Sequence, residues 1–445
     1  MSERQREPAP MMARRLPSGR GAMEQPNNTS DTARLTVRFW LMLLATAVAT
    51  GLLGALMMAV LHATQHLAFG YSSGPFGEAV ANASDRRRFV ALLIGGAVVG
   101  PAWYLLRRVI AGSTDVDDSV WTGTGELGVR RSLGTGVISE VAIGAGASLG
   151  REAAPKLLGA ASGSLLAGWA QLDPGQRRLL VACGAGAGMG AVYNVPLGGA
   201  LPALLCSVLA TVVSWVYLPT TVTYPGLPTL SLHAPQVLYA ALAGPLIGLF
   251  AVVLVRAIGW VSHHQLRGRW VLIGPLLAFS ALGVLALRLP LLLGNGKDLA
   301  HGAFLGTASR GVLVLAFLAL LKPAVTVLCL GSGASGGLLT PVLSTGAALG
   351  LLLGLVWQHF WPGGPAVAYA VITASALLGA ATQAPLTALV LVLELTGNTE
   401  PIIVPMVLAT GLATLVVRQV DGYSIYSARL QRRDVTTEPV NAIHS

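Results

Sequence analysis

A succession of apolar runs, each long enough to cross a bilayer, constrains this chain more than anything else in it. Phe39 to Ala63 contains no Asp, Glu, Lys or Arg, and a span needs about 20 such residues because the hydrocarbon core is about 30 Å thick. Further runs follow at Val90 to Leu106, in a Gly-rich block from Gly134 to Ala170, and at Leu179 to Val195 and Leu197 to Leu218 on either side of Pro196. Beyond a polar hinge at Thr220 to His233 come Val237 to Val261, Trp270 to Leu293, Gly311 to Leu330, Gly336 to Trp357, Ala366 to Leu395 and Pro401 to Val417. In lipid each backbone N–H and C=O must be paired within its own segment, so such runs fold as helices. The expectation is an all-α polytopic membrane protein with room for roughly ten to eighteen helices, full or partial. Only 11% of residues are charged, against roughly 25% in soluble domains, which excludes an ordinary cytosolic protein.

The formal net charge of +10 is not a nucleic-acid signature here, because the positive residues lie in tails and in loops flanking the apolar runs. Residues 1–35 are Arg-, Pro- and Ser-rich and read as a disordered cytoplasmic tail. Residues 36–433 read as the transmembrane domain, with halves at about 36–225 and 234–430, and residues 434–445 as a second tail. Arg14, Arg15, Arg20, Arg34 and Arg38 at one end, and Arg418, Arg429, Arg432 and Arg433 at the other, place both termini in the cytoplasm of a cell-membrane protein. Arg86, Arg87 and Arg88 disagree with that orientation. The first run is too long for a cleavable signal, and no folded domain is expected after the membrane part. Cys183, Cys206 and Cys329 have no disulfide or zinc spacing and read as inert packing residues.

The sequence repeats internally. Gly190-Ala191-Val192-Tyr193-Asn194-Val195-Pro196-Leu197 matches Gly379-Ala380-Ala381-Thr382-Gln383-Ala384-Pro385-Leu386 at an offset of 189 residues. Upstream, the segment from Gly146 to Pro155 resembles that from Gly333 to Pro341. Such symmetry marks transporters that hold substrate between repeats at interrupted helices, and it leaves open whether the repeats are inverted. Both upstream motifs are Gly/Ser-rich turns running into an apolar helix. A helix N-terminus carries partial positive charge and unpaired N–H donors, so two aimed at one point hold an anion without a full cation, loosely enough for it to leave.

Glu152 is a carboxylate at the start of one of these helices. Intramembrane ionisable groups mark function by default, and this one can compete with an anion for the same N–H groups, acting as a gate and as a proton carrier. The plainer reading is a salt bridge to Arg151 or Lys156. Glu140, Lys322 and Glu394 read as structural or helix-end charges.

With these residues in place, the chain resembles the CLC family of chloride channels and proton-coupled chloride transporters over residues 36–433. Gly150-Arg151-Glu152-Ala153-Ala154-Pro155 is similar to the family's GREGP element, which makes Glu152 the gating glutamate. Gly333 to Pro341 is similar to its GGxFxP element, whose anion-binding amides fall on Leu338 and Leu339. Tyr426 matches the tyrosine whose hydroxyl helps hold the anion. The GSGIP element survives only as Gly112-Ser113-Thr114-Asp115-Val116, which keeps Ser113 as an anion ligand but loses the following Gly and Pro, and Asp115 must point away from the anion path or pair, for instance with Arg107 or Arg108. The resemblance implies a CLC-type inverted repeat of tilted and partially spanning helices. It also implies a homodimer with an anion pathway in each subunit, passing chloride or a similar monovalent anion. The family exchangers' internal proton glutamate falls near Cys206. A thiol there is a poor relay, so the reading leans to weak or absent proton coupling, with a proton/chloride antiporter using another route as the alternative.

No ATP motif, metal ligand set or cofactor is expected, so gradients drive transport. A different class, an intramembrane serine protease, is suggested by Gly333-Ala334-Ser335-Gly336 with His301 as base. It leaves the recurrence of the motif 186 to 189 residues earlier unexplained, and His301 reads as part of a polar loop.

Overall fold

The computed structural model describes residues 35–111, 116–121, 124–195, 201–308, 311–362, 364–397 and 400–430. Sixteen α-helices occur among them, with no strand beyond one isolated bridge. Helix α1 (Val37–Phe69) starts at Thr36, whose hydroxyl accepts a hydrogen bond from the Phe39 N–H at 3.2 Å. Its 33 residues extend roughly 50 Å, beyond the hydrocarbon thickness, so α1 is long enough to cross with some tilt. The other helices long and apolar enough to span are α3 (Asp85–Val109), α9 (Ala234–His263), α12 (Val312–Gly331), α13 (Leu339–Phe360), α16 (Ile403–Val420) and the segment Gly268–Ala286, which ends in α10 (Gly274–Ala286). Helices α8 (Leu201–Ser214), α14 (Ala366–Thr382) and α15 (Pro385–Thr396) are apolar but shorter, which gives the mixture of tilted and partial spans.

Two runs that read as continuous in sequence are broken. Trp270 to Leu293 splits into a 3-10 turn (Gly268–Leu272), α10 and a second turn (Pro290–Leu292). Ala366 to Leu395 splits at Gln383, which is left-handed with φ of 57°, and Pro385 opens α15. A proline has no N–H to continue the preceding helix, so each break falls where one can begin the next element. Arg87 donates to the Ala68 and Leu67 carbonyls at 3.0 and 3.2 Å, capping the end of α1. Arg88 pairs with Asp85 at 2.8 Å and donates to the Ala286 carbonyl at 3.0 Å. Two of the three arginines that conflict with the charge rule, Arg87 and Arg88, are thus used to tie helix ends.

The repeat is physical. Helices α5 (Val129–Gly144), α6 (Ala153–Trp169), α7 (Pro174–Tyr193) and α8 correspond in order to α12, α13, α14 and α15. Asn194 and Gln383 end α7 and α14 in the left-handed conformation, with φ of 56° and 57°, and their N–H groups return to Gly190 and Gly379. The next residues, Val195 and Ala384, donate to those same carbonyls at 3.0 and 3.2 Å. The loops before α6 and α13 each open on a left-handed glycine, Gly146 (φ 113°) and Gly333 (φ 90°), where a side chain would be strained. Within each half the paired helices touch at backbone distance. A Cβ on Gly159 of α6 would collide with the Gly184 carbonyl of α7, and Gly350 and Gly354 of α13 lie against Tyr369 of α14. Close approach through small residues is what holds helices together in lipid.

Candidate functional site

The two motif loops meet. The Gly150 N–H donates to the Gly337 carbonyl at 2.6 Å and the Gly337 N–H to the Gly150 carbonyl at 2.8 Å, an antiparallel bridge between residues of opposite halves. The bridge brings the starts of α6 and α13 together, and the Glu152 side chain fills the space between them. Glu152 caps α6 and is 3% exposed. Its Oε1 accepts from the Leu339 N–H, in the first turn of α13, at 2.7 Å. Its Oε2 accepts from the Tyr193 hydroxyl at 2.9 Å, and Thr340 Oγ1, 3.3 Å from the same oxygen, shares its single proton between Oε2 and the Tyr193 oxygen. A Cβ on either Gly150 or Gly337 would strike this carboxylate, so both motif glycines make room for it. The carboxylate lies where a helix N-terminus offers an N–H to an anion, with no salt-bridge partner among the described residues.

The bridge to Arg151 or Lys156 that the sequence allows for Glu152 is not formed. The Arg151 guanidinium lies 5.2 Å from the centroid of the Tyr193 ring, and its Nε has no hydrogen-bond partner among the described residues. Lys156 pairs with Asp117 of α4 (Val116–Trp121), its Nζ 3.1 and 3.3 Å from the two carboxylate oxygens. The same Nζ stands 4.4 Å from the centroid of the Tyr426 ring. Asp117, Glu152, Lys156, Gly337, Leu338, Tyr426 and Arg429 share the lining of one cavity of about 210 Å³.

Of the residues singled out in sequence, Glu152, Leu338, Leu339 and Tyr426 are thus brought to one place. Ser113 and Asp115 lie outside the described residues. Arg107, offered above as the partner of Asp115, donates to the Gly333 carbonyl at 2.7 Å. Sequence reasoning missed Tyr193 and Thr340. Each had a signal, as a lone hydroxyl beside a motif landmark, but nothing in one dimension joins residues 147 positions apart. Cys206 is buried on α8 with its Sγ 3.9 Å from the Leu43 carbonyl, and all three cysteines are free. Lys322 is structural, its Nζ donating to the Leu292 and Gly294 carbonyls at 3.0 and 2.8 Å. Glu140 of α5 is fully buried, and neither carboxylate oxygen has a hydrogen-bond partner among the described residues. His301 is on a short helix, α11 (Lys297–Leu305), rather than in a loop, and its Nε2 bonds the Pro225 carbonyl at 2.8 Å.

The voltage gated chloride channel model matches residues 95–418. The chain belongs to this family, whose members are called CLC proteins. The H(+)/Cl(-) exchange transporter ClcA of Yersinia pestis bv. Antiqua (strain Angola) is 33% identical to it over 327 residues, covering 67% of this chain and 68% of that protein. A slow cyanobacterial Cl-/H+ antiporter of known crystal structure aligns with a TM-score of 0.77 at 22% identity, covering 88% of this chain and 97% of that one. A CLC-type fluoride/proton antiporter gives 0.68 at 21% identity over the same shares. The fold is therefore the CLC inverted repeat, and in this chain Gly150 and Gly337 join its two halves in an antiparallel bridge. Membership places this CLC protein among multi-pass anion transporters.

Proposed function

We propose that this CLC protein is a proton-coupled chloride antiporter in which Glu152 is both gate and proton carrier. One observation carries the reading: the Glu152 carboxylate accepts the Leu339 N–H in the first turn of α13, a donor that a helix N-terminus can offer to an anion. An ionised Glu152 blocks the pathway, and on protonation it loses its hold on that N–H and admits chloride. Leu338 and Leu339 supply backbone donors, and Tyr426 lines the pathway.

The leaning towards weak coupling rested on Cys206 standing where a carboxylate relay is expected. The relative named for H(+)/Cl(-) exchange and the antiporter of like fold favour coupling instead, so protons reach Glu152 through groups other than Cys206. Uncoupled conduction is the second reading, favoured by the absence of any carboxylate in α8, LPALLCSVLATVVS. The protein works as a homodimer with one pathway per subunit, in the cell membrane with both termini cytoplasmic. Purified protein in proteoliposomes, with chloride efflux and external pH recorded together, tests this. Uphill proton movement driven by the chloride gradient, abolished in Glu152→Ala, is the expected result. Chloride flux without it gives the uncoupled pathway, and no anion flux under any gradient refutes both.

A further inference from the structure

A full cation beside an anion pathway is a hazard, because conduction requires that an anion be held strongly enough to enter and weakly enough to leave. Lys156 is such a cation. It lies four residues after Glu152 on α6, and positions i and i+4 share one helix face, so the carboxylate and the ammonium both line the 210 Å³ cavity. That volume equals the liquid-water share of roughly seven water molecules, enough for a monovalent anion and part of its hydration shell. The ammonium is fixed from two sides. The face of the Tyr426 ring, 4.4 Å from centroid to Nζ, attracts it through the ring quadrupole, and Asp117 pairs with it at 3.1 Å. The pair is partly wetted, with side chains 18% and 32% exposed for Lys156 and Asp117, which keeps it in the class of ion pairs that contribute little and exchange readily.

We propose that Lys156 is an anion-holding residue of this cavity and that Asp117 competes with the anion for it, the two forming an ion-pair latch beside the Glu152 gate. With the cavity free of anion, Asp117 neutralises the ammonium. An entering anion takes the Lys156 contact while water solvates the released carboxylate, and the return of Asp117 expels the anion. The latch gives Lys156 the affinity of a cation without the trap. The inference rests on the anion-transport reading of the same site and adds a side-chain ligand, with its regulator, to the backbone donors.

The test is chloride binding to the purified full-length protein by titration calorimetry, with chloride flux in proteoliposomes alongside. Lys156→Gln is expected to weaken chloride at least tenfold, Lys156→Arg to retain most of the affinity, and Asp117→Asn to tighten it several-fold while slowing release. The deciding variant is the double one. If Asp117 acts by occupying Lys156, then Asp117→Asn has almost no effect in the Lys156→Gln background, because the two residues form one unit. If Asp117 only repels the anion through space, its removal tightens binding equally in both backgrounds, and the latch is overturned. Unchanged affinity in Asp117→Asn overturns it too, and that variant is conservative enough to stand in should Lys156→Gln fold poorly. Wild-type protein without chloride flux would refute the transport reading and the latch together, whereas normal flux with additive variants refutes the latch alone.

Discussion

Replacing Glu152 by alanine should tighten equilibrium chloride binding about 10- to 150-fold. In the structure the carboxylate is an internal competitor for the Leu339 N–H at 2.7 Å, held by the Tyr193 hydroxyl at 2.9 Å and more weakly by Thr340 at 3.3 Å. Taking the docked carboxylate as better than the undocked one by about 1.5–3 kcal/mol, the net worth of a hydrogen bond to a charged group, the apparent affinity of any rival anion falls by that amount. At about 1.4 kcal/mol per tenfold, removing the competitor returns the stated range. Tyr193→Phe removes one tether and keeps the carboxylate, so it should tighten chloride only about fivefold, from about 1 kcal/mol. In the Glu152→Ala background the same tyrosine change should do nothing further. Calorimetric titration of chloride into detergent-solubilised protein reads the wild type and all three variants. Unchanged or weaker binding in Glu152→Ala, or a Tyr193→Phe effect that survives without Glu152, would show that the carboxylate does not stand in the anion's place.

Neither Glu140 oxygen has a hydrogen-bond partner among the described residues, at zero exposure, so Glu140→Met, which removes a buried polar group at similar volume, should stabilise the protein by about 1–3 kcal/mol. A lower thermal midpoint in detergent would instead reveal an unseen partner. Gly184→Ala should destabilise by about 1–3 kcal/mol or more, because its Cβ meets the Gly159 carbonyl, while Gly186→Ala, with nothing within 4 Å, should gain up to about 1 kcal/mol from helix propensity. Equal effects at the two sites would refute the close packing of α6 on α7. Asp421 holds Arg256 through oxygens at 2.6 and 2.7 Å, and those hydrogen bonds hold its carboxyl below the usual aspartate range. A lowered folded-state value means stability that is fully present above the unfolded pKa and is lost as pH falls through the folded one. The wild-type thermal midpoint should therefore exceed that of Asp421→Asn at neutral pH and converge with it on acidification, and a gap that persists at low pH would contradict this.

Sequence by itself determined the class of this protein, because about 20 apolar residues without a charge leave the backbone no solution in lipid but a helix. It also carried the repeat, since its landmarks are local necessities: a residue in the left-handed region at Asn194 and Gln383, a glycine opening each loop at Gly146 and Gly333. Glu152 stood out for the same kind of reason, as a charge placed where burial is costly. The helix breaks after Ala286 and at Gln383 were less legible, because apolar periodicity continues through them and only the prolines mark the change. What no local rule contains is which distant groups meet. The bridge from Gly150 to Gly337, the grip of Tyr193 and Thr340 on Glu152, and the pairing of Lys156 with Asp117 join residues 39 to 188 positions apart. Side-chain polarity says that each of these groups needs a partner. Only the packing of α6 against α7 and of α13 against α14, with the two loops closing between them, decides which partner it receives.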